Sequence, residues 1–191
     1  MLRQLNSFIF LILVIGAIGH LGCLRDNVLY KNFQSVNAPI KVSMAYPDGW
    51  GFNEDKGKDY WQVVFYEPRK KNVVFNPAIV VTFYSRPDTP SKAKEQLIRN
   101  RMKFDEFEVL NMGRRKVNAF LAEQIVFTYK TVGRLYIYDP KPVLPIKVKE
   151  KVLLFRAGEW LVSARYENVF KDFSRFEGVF SYLLTTLKIG S

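Results

Sequence analysis

Cys23 is the only cysteine and His20 the only histidine of the 191 residues. Nucleophilic arrangements of the Cys/His or Ser/His/Asp kind need an imidazole beside the nucleophile, and ordinary structural zinc needs several thiolate or imidazole ligands. Beyond Cys23 the chain supplies neither group. The chemistry that remains is that of carboxylates, and Asp48, Glu54, Asp55 and Asp59 form the densest acidic stretch. A hydrolase built from Asp48, Asp55 and Asp59 with a lysine as partner is the enzymatic reading. The stretch lacks the alternating Asp/Asn register and closing Glu of a calcium loop. Solvated acids are therefore expected there, with no cofactor, no metal and no catalysis.

Cations are far more abundant. Lys and Arg number 29 against 18 Asp and Glu, a net charge of +11, and only Arg3 lies before Cys23. Four clusters stand out: Arg69-Lys70-Lys71, Arg99-Arg101-Lys103, Arg114-Arg115-Lys116 and Lys147-Lys149-Lys151. Strand alternation puts Lys147, Lys149 and Lys151 on one side of their strand. Joined with Arg114, Arg115 and Lys116, they are candidate contacts for anionic lipid head groups or an acidic envelope protein. The alternative is scattered solubilising charge. An exported protein meets such surfaces rather than nucleic acid.

Export is written at the start of the chain. Met1–Asn6 carries Arg3 and no acid, Phe8–Ile18 is an unbroken apolar run, and the small residues Gly19 and Gly22 follow. This is signal-peptide layout, and the run is too short for a spanning helix of about 20 apolar residues. Gly22-Cys23 resembles the bacterial lipobox, in which the cysteine is acylated and becomes the mature N-terminus. That resemblance implies a lipoprotein, labelled by palmitate, with a signal peptide over 1–22 and a membrane anchor at Cys23. Leu24 in place of the Asp of an inner-membrane retention signal implies the periplasmic face of the outer membrane. The competing possibility is ordinary cleavage after Ala17-Ile18-Gly19, which leaves Cys23 a free thiol.

Residues 23–38 read as a polar tether and 39–191 as one domain. Strands are predicted over Lys41–Tyr46, Tyr60–Tyr66 and Ala78–Tyr84, rich in Val, Ile and aromatics and punctuated by Pro47, Pro68, Pro77 and Pro87. Ser91 is expected to cap a helix reaching Lys103, with Ala93, Leu97, Ile98 and Met102 on one face. Two more strands, Glu108–Met112 and Ala119–Thr131, are joined through Gly113-Arg114-Arg115-Lys116. An irregular proline-rich excursion covers Thr131–Pro145. Lys147–Arg156 and Glu159–Tyr166 flank an Ala157-Gly158 hairpin turn. Glu167-Asn168 is expected to open a last helix with the stripe Phe170, Phe173, Phe176, Phe180, Leu183, Leu184 and Leu187. Runs such as Ile125-Val126-Phe127 need cover on both faces. The predicted class is therefore α+β, an antiparallel sheet covered by helices on both faces.

Tyr46-Pro47-Asp48-Gly49-Trp50, Val63-Val64-Phe65-Tyr66-Glu67-Pro68 and the closing Phe180 to Lys188 stretch resemble the PsbP-like family. Asn118-Ala119-Phe120-Leu121-Ala122-Glu123 and Leu153–Tyr166 resemble its middle strand entry and penultimate hairpin. The resemblance runs from Ile40 to Ile189 and implies the same sheet with helices on both sides. Members range from extrinsic subunits of photosystem II to bacterial lipoproteins, so fold alone does not deliver a function. The metal-binding histidines of plant members have no counterpart after His20. The expected role is a non-catalytic, lipid-anchored binding or assembly module of the cell envelope. A carrier whose sheet and last helix part around a lipid or other apolar ligand is the alternative.

Overall fold

The computed structural model describes residues 28–68, 75–85, 88–132 and 145–190. The expected signal segment, Cys23, Arg69-Lys70-Lys71 and most of the expected proline-rich excursion lie outside them. The first element arises inside the expected tether. β1 (Tyr30–Gln34) pairs antiparallel with β2 (Val42–Pro47), and β10 (Lys188–Ile189) pairs with β2 from its other side. One residue explains β1: Phe33 is 2% exposed and meets the rings of Phe52 and Phe65 edge-on at 5.1 and 5.4 Å. Burying such a ring removes enough apolar surface to order a short polar strand.

The larger sheet has seven strands in the order β3-β4-β5-β9-β8-β7-β6, each antiparallel to its neighbours. β3 is Gly51–Lys56, β4 Tyr60–Tyr66, β5 Ala78–Tyr84, β6 Glu108–Val117, β7 Phe120–Val132, β8 Pro145–Ala157 and β9 Trp160–Val169. Gly158, at φ +59°, turns the β8–β9 hairpin where the sequence places it. The β6–β7 turn falls five residues later than expected. Asn118 takes the left-handed conformation there, φ +52°, which Asn tolerates better than most side chains. Its side-chain amide donates to Leu184 O at 3.1 Å and Leu187 O at 2.8 Å, satisfying helix-terminal carbonyls. Arg114, Arg115 and Lys116 consequently stand in a strand, not in a loop.

Among the described residues there are two α-helices. α1 (Pro90–Arg101) starts at Thr89 rather than Ser91, because Thr89 Oγ1 accepts from Lys92 N at 3.2 Å and Pro90 suits the first helical turn. α2 (Ser174–Thr186) begins later than expected, after a 3-10 turn over Phe170–Asp172. β9 holds Glu167 and Asn168 in its pairing with β8, and the Asn168 amide donates to Asp172 O at 3.0 Å to shape the turn.

Alternate residues of β8 enter different cores. Leu153 and Phe155 pack with Trp61, Phe65, Phe83, Val162, Tyr166 and the α2 residues Phe180, Leu183 and Leu184. Val152 and Leu154 pack with Ile125, Phe127 and Tyr129, with Ala93, Leu97 and Ile98 of α1 against them. α2 buries Val179, Phe180, Leu183 and Leu184, whereas α1 has no fully buried residue. The Tyr166 hydroxyl donates to Phe173 O at 2.7 Å, and burial pushes its phenol up to about 12.

Phe180 is 0% exposed at the junction of both sheets with α2. Phe180→Ala is expected to lower stability by about 3–5 kcal/mol, while Leu97→Ala, on the shallower helix, is expected to cost clearly less. Urea denaturation of the two variants checks this ranking, and an equal loss would overturn it.

Candidate functional site

Asp48, Glu54 and Asp55 do not converge, and Asp59 stands in the β3–β4 turn, where its backbone carbonyl accepts from Ser85 N at 3.0 Å. Asp48 forms an ion pair with Lys31 across β1 and β2. Glu54 Oε2 accepts from Ser35 Oγ at 3.0 Å and Trp61 Nε1 at 3.1 Å. Asp55, next on β3 and therefore on its other face, accepts from Tyr60 OH at 2.8 Å and Gln62 Nε2 at 3.3 Å. Among the described residues no group of three or more His, Cys, Asp or Glu is placed to hold a metal ion. These carboxylates tie local strands together.

The cations separate into two populations. Lys147, Lys149 and Lys151 do share one side of β8, as alternation requires, but that side faces the segment leading into α2. Lys147 Nζ lies 5.3 Å over the Phe170 ring, Lys149 Nζ 4.6 Å over the Phe173 ring, and Lys151 bonds Glu177 at 2.7 Å. Each is engaged with the end of the chain, through cation–π attraction or an ion pair. On β6, Arg114 is paired with Glu123 of β7 at 2.8 Å, and Glu123 also takes Lys94 of α1 at 2.6 Å. Arg114 thus faces α1. Arg115, opposite Ala122 in the register, faces the other way, and Lys116 returns to the α1 side. The six residues therefore form an internally engaged ladder and a separate edge, not one uniform patch.

Sequence reasoning missed a buried charge cluster. Glu150 of β8 is 0% exposed. It accepts from Arg101 of α1 at 3.2 Å and from Tyr129 OH at 3.1 Å, with Arg165 Nε 3.7 Å away. Glu167 stands opposite Glu150 across the β8–β9 register. Burial pushes the Glu150 carboxyl up, and Arg165 and Arg101 pull it back. Burial and Glu150 together raise the Tyr129 phenol. The available signal was phase: Glu150 falls in step with Val148, Val152 and Leu154, at an inward position of an otherwise apolar run.

Surface clefts lie elsewhere among the described residues. One, of about 470 Å³, lies where the chain enters the domain and is lined by Val28, Leu29, Pro47, Trp50, Phe176 and Val179. Another, of about 460 Å³, lies beneath the β8–β9 turn between Ile40, Phe120, Trp160 and Ile189. A third, of about 480 Å³, lies between Val36, Asn37 and Ala38 and the β3 residues Glu54, Asp55 and Lys56. Trp160 Nε1 is buried without a hydrogen-bond partner. No helix among the described residues is long and apolar enough to cross a membrane.

The fold is PsbP-like. It is similar to LpqN, involved in cell envelope biogenesis of Mycobacterium tuberculosis, with a TM-score of 0.55 at 10% identity over 85% of this chain and 92% of that one. Cyanobacterial PsbP (CyanoP) from Synechocystis sp. PCC 6803 superposes with a TM-score of 0.51 at 11% identity, over 90% and 99% of the two chains. The Saccharomyces cerevisiae Ran-binding protein Mog1p gives 0.52 at 10% identity over 85% and 96%. No family model and no curated protein sequence matches the chain.

Two measurements probe the charged groups. Glu150→Ala is expected to cost about 3–5 kcal/mol, because it removes the counter-charge of the mostly buried Arg101 and one of the two carboxylates facing Arg165, Glu167 being the other; a loss under about 1 kcal/mol would make the cluster a surface pair in energetic terms. The Lys94 ammonium, together with Arg114, holds the Glu123 carboxyl below its usual range. A depressed carboxylate stabilises the fold above its unfolded pKa, and that contribution fades as the pH falls through the folded value. Chemical denaturation across acidic pH should show this loss in the native chain and a smaller one in Glu123→Gln.

Proposed function

We propose that this chain is a non-catalytic, lipid-anchored binding or assembly module of the bacterial cell envelope, held by acyl chains on Cys23 at the periplasmic face of the outer membrane. The observation that carries the non-catalytic part is the commitment of Asp48, Glu54 and Asp55 to separate structural bonds with Lys31, Ser35, Trp61, Tyr60 and Gln62. With no thiol or imidazole beyond Cys23, the domain offers surfaces rather than a reaction centre. LpqN is a similar fold named for envelope biogenesis, and Mog1p one named for binding another protein. Both uses fit a scaffold whose two cores leave strand edges and loops free for contact. In this reading α1 and α2 cover opposite faces of the large sheet, following the alternation along β8.

The anchor sits close to the domain. From Cys23 to Tyr30 the chain spans at most about 25 Å when fully extended, so the entry cleft around Leu29, Trp50 and Phe176 stays within reach of the head groups. Leu29 is 72% exposed and Val28 40%. Several acyl chains give stable attachment, each buried methylene adding about 0.8 kcal/mol.

A carrier of an apolar ligand is the second reading, favoured by the cleft between Ile40, Phe120, Trp160 and Ile189. The ligand does not part α2 from the sheet in this version, because α2 is the better buried helix. Native mass spectrometry of the purified protein separates the two readings: retained lipid supports the carrier, and a clean apo mass supports the binding module.

Metabolic labelling with palmitate is expected to mark the native chain and not Cys23→Ala, which should move from the membrane fraction to the soluble one. Label persisting in Cys23→Ala would remove the anchor from this proposal.

A further inference from the structure

β6 is the last strand of the seven-stranded sheet, and among the described residues it pairs with β7 alone. Its 10 residues are nearly twice the mean strand length of about 5–6. A free edge of that length presents a row of backbone donors and acceptors to any extended chain. The register shifts between Val109 and Asn111 and is then continuous to Val117. The usable edge is therefore Asn111–Val117.

We infer that this edge is a docking strand for an extended, acidic segment of another protein. Arg114, Arg115 and Lys116 are consecutive, so cations project from both faces of the edge. Arg115 and Lys116 have no ion-pair partner among the described residues, and Arg114 shares the single carboxylate of Glu123 with Lys94. An added strand carrying carboxylates at alternate positions meets Arg114 and Lys116 on one face. A strand with acids in the other phase meets Arg115. Met112, 56% exposed, and Leu121, 65% exposed, share the α1 side with Arg114 and Lys116 and offer apolar contact to side chains of the added strand on that face. Gly113 leaves open space on the opposite side, where Cβ would touch nothing.

The same charges select against a second copy. Antiparallel self-pairing over Asn111–Val117 sets Arg114 opposite its own image, with Lys116 and Arg115 diagonal to the second copy's Arg114 and Arg115, within a chain whose net charge is +11. Main-chain pairing supplies affinity in strand addition, and side-chain charge supplies the choice of partner. That the partner belongs to the envelope rests on the function proposed above; the chemistry of the edge does not.

The probe is a fluorescent peptide alternating Glu with Val, matched in length to β6, titrated into the detergent-solubilised full chain. Saturable binding that weakens with salt is expected, together with slowed amide exchange over Asn111–Val117. Arg115→Glu/Lys116→Glu should weaken binding about tenfold or more with an unchanged melting temperature, and Lys56→Glu on the far edge should leave it unaltered. Absent binding, equal affinity for the double variant, or binding without protection of β6 amides would each overturn the assignment. Protein that pairs with itself through β6 would overturn the acidic occupant. A chain that takes no palmitate but passes these tests loses its anchor and keeps its docking strand.

Discussion

β8 is a wall shared by two hydrophobic cores, and the remaining architecture follows from that constraint. Seven of its residues from Val148 to Phe155 are buried, all but Lys149. Leu153 and Phe155 meet the core that joins both sheets to α2, while Val152 and Leu154 meet the smaller core beneath α1. Period-two alternation makes those two packings inseparable, since a slip of one residue exchanges every partner. The positions of β7, β9, α1 and α2 are all set against this strand. The three-stranded sheet follows in turn, because Ala45 N donates to Thr186 Oγ1 at 2.9 Å and ties β2 to the end of α2.

The polar residues of β8 show how a strand buried on both sides admits charge. Glu150 is sealed on the α1 side with Arg101, Arg165 and Tyr129 around it. Lys151, 8% exposed, reaches Glu177, and Lys147 and Lys149 lay their ammonium groups over aromatic rings at the start of the C-terminal segment. Isolated burial of any of these charges would be strongly unfavourable, so each has a partner on another element. The result is positional. Arg101 fixes the last turn of α1, a helix whose apolar grip is slight, and the lysines fix the approach to α2. Charge on this strand serves registration of the helices, whereas Arg115 and Lys116 on β6 have no ion-pair partner among the described residues.

The sequence made the strongly periodic elements legible. Tyr60–Tyr66 and Ala78–Tyr84 coincide with β4 and β5, the β8–β9 hairpin turns at Gly158, and the aromatic stripe of the last helix is core at Phe173, Phe180, Leu183, Leu184 and Leu187. What escaped were elements set by pairing or packing rather than by their own composition. β1 depends on Phe33 finding Phe52 and Phe65, and β3, whose residues read as a turn and an acidic loop, depends on a full register with β4. The extension of β6 through Gly113-Arg114-Arg115-Lys116 depends on Asn118 reaching the carbonyls of α2. Local composition favoured a loop at each of these places, and tertiary pairing overruled it. The ion cluster was hidden for a related reason: a lysine-rich stretch reads as solvated until its phase against Val148 and Val152 is compared.

The edges of the large sheet carry the consequence for function. At one end β3 alternates Glu54, Asp55 and Lys56, and its acids are already turned inward or along the surface to Ser35, Trp61, Tyr60 and Gln62. At the other end β6 bears two cations with no ion-pair partner among the described residues and an unbroken register. A sheet that needs both edges only as boundaries would satisfy both alike. Here the acids of one edge are hydrogen-bonded within the chain, whereas Arg115 and Lys116 of the other have no ion-pair partner among the described residues, although Glu123 lies one strand away and already balances Arg114. An uncompensated cation pair on an exposed strand adds nothing to the folding of a chain that is already strongly basic, since self-repulsion grows with net charge. The asymmetry gives the sheet a defined, positively charged edge, from which self-pairing is excluded by charge and to which the acidic strand inferred above would add.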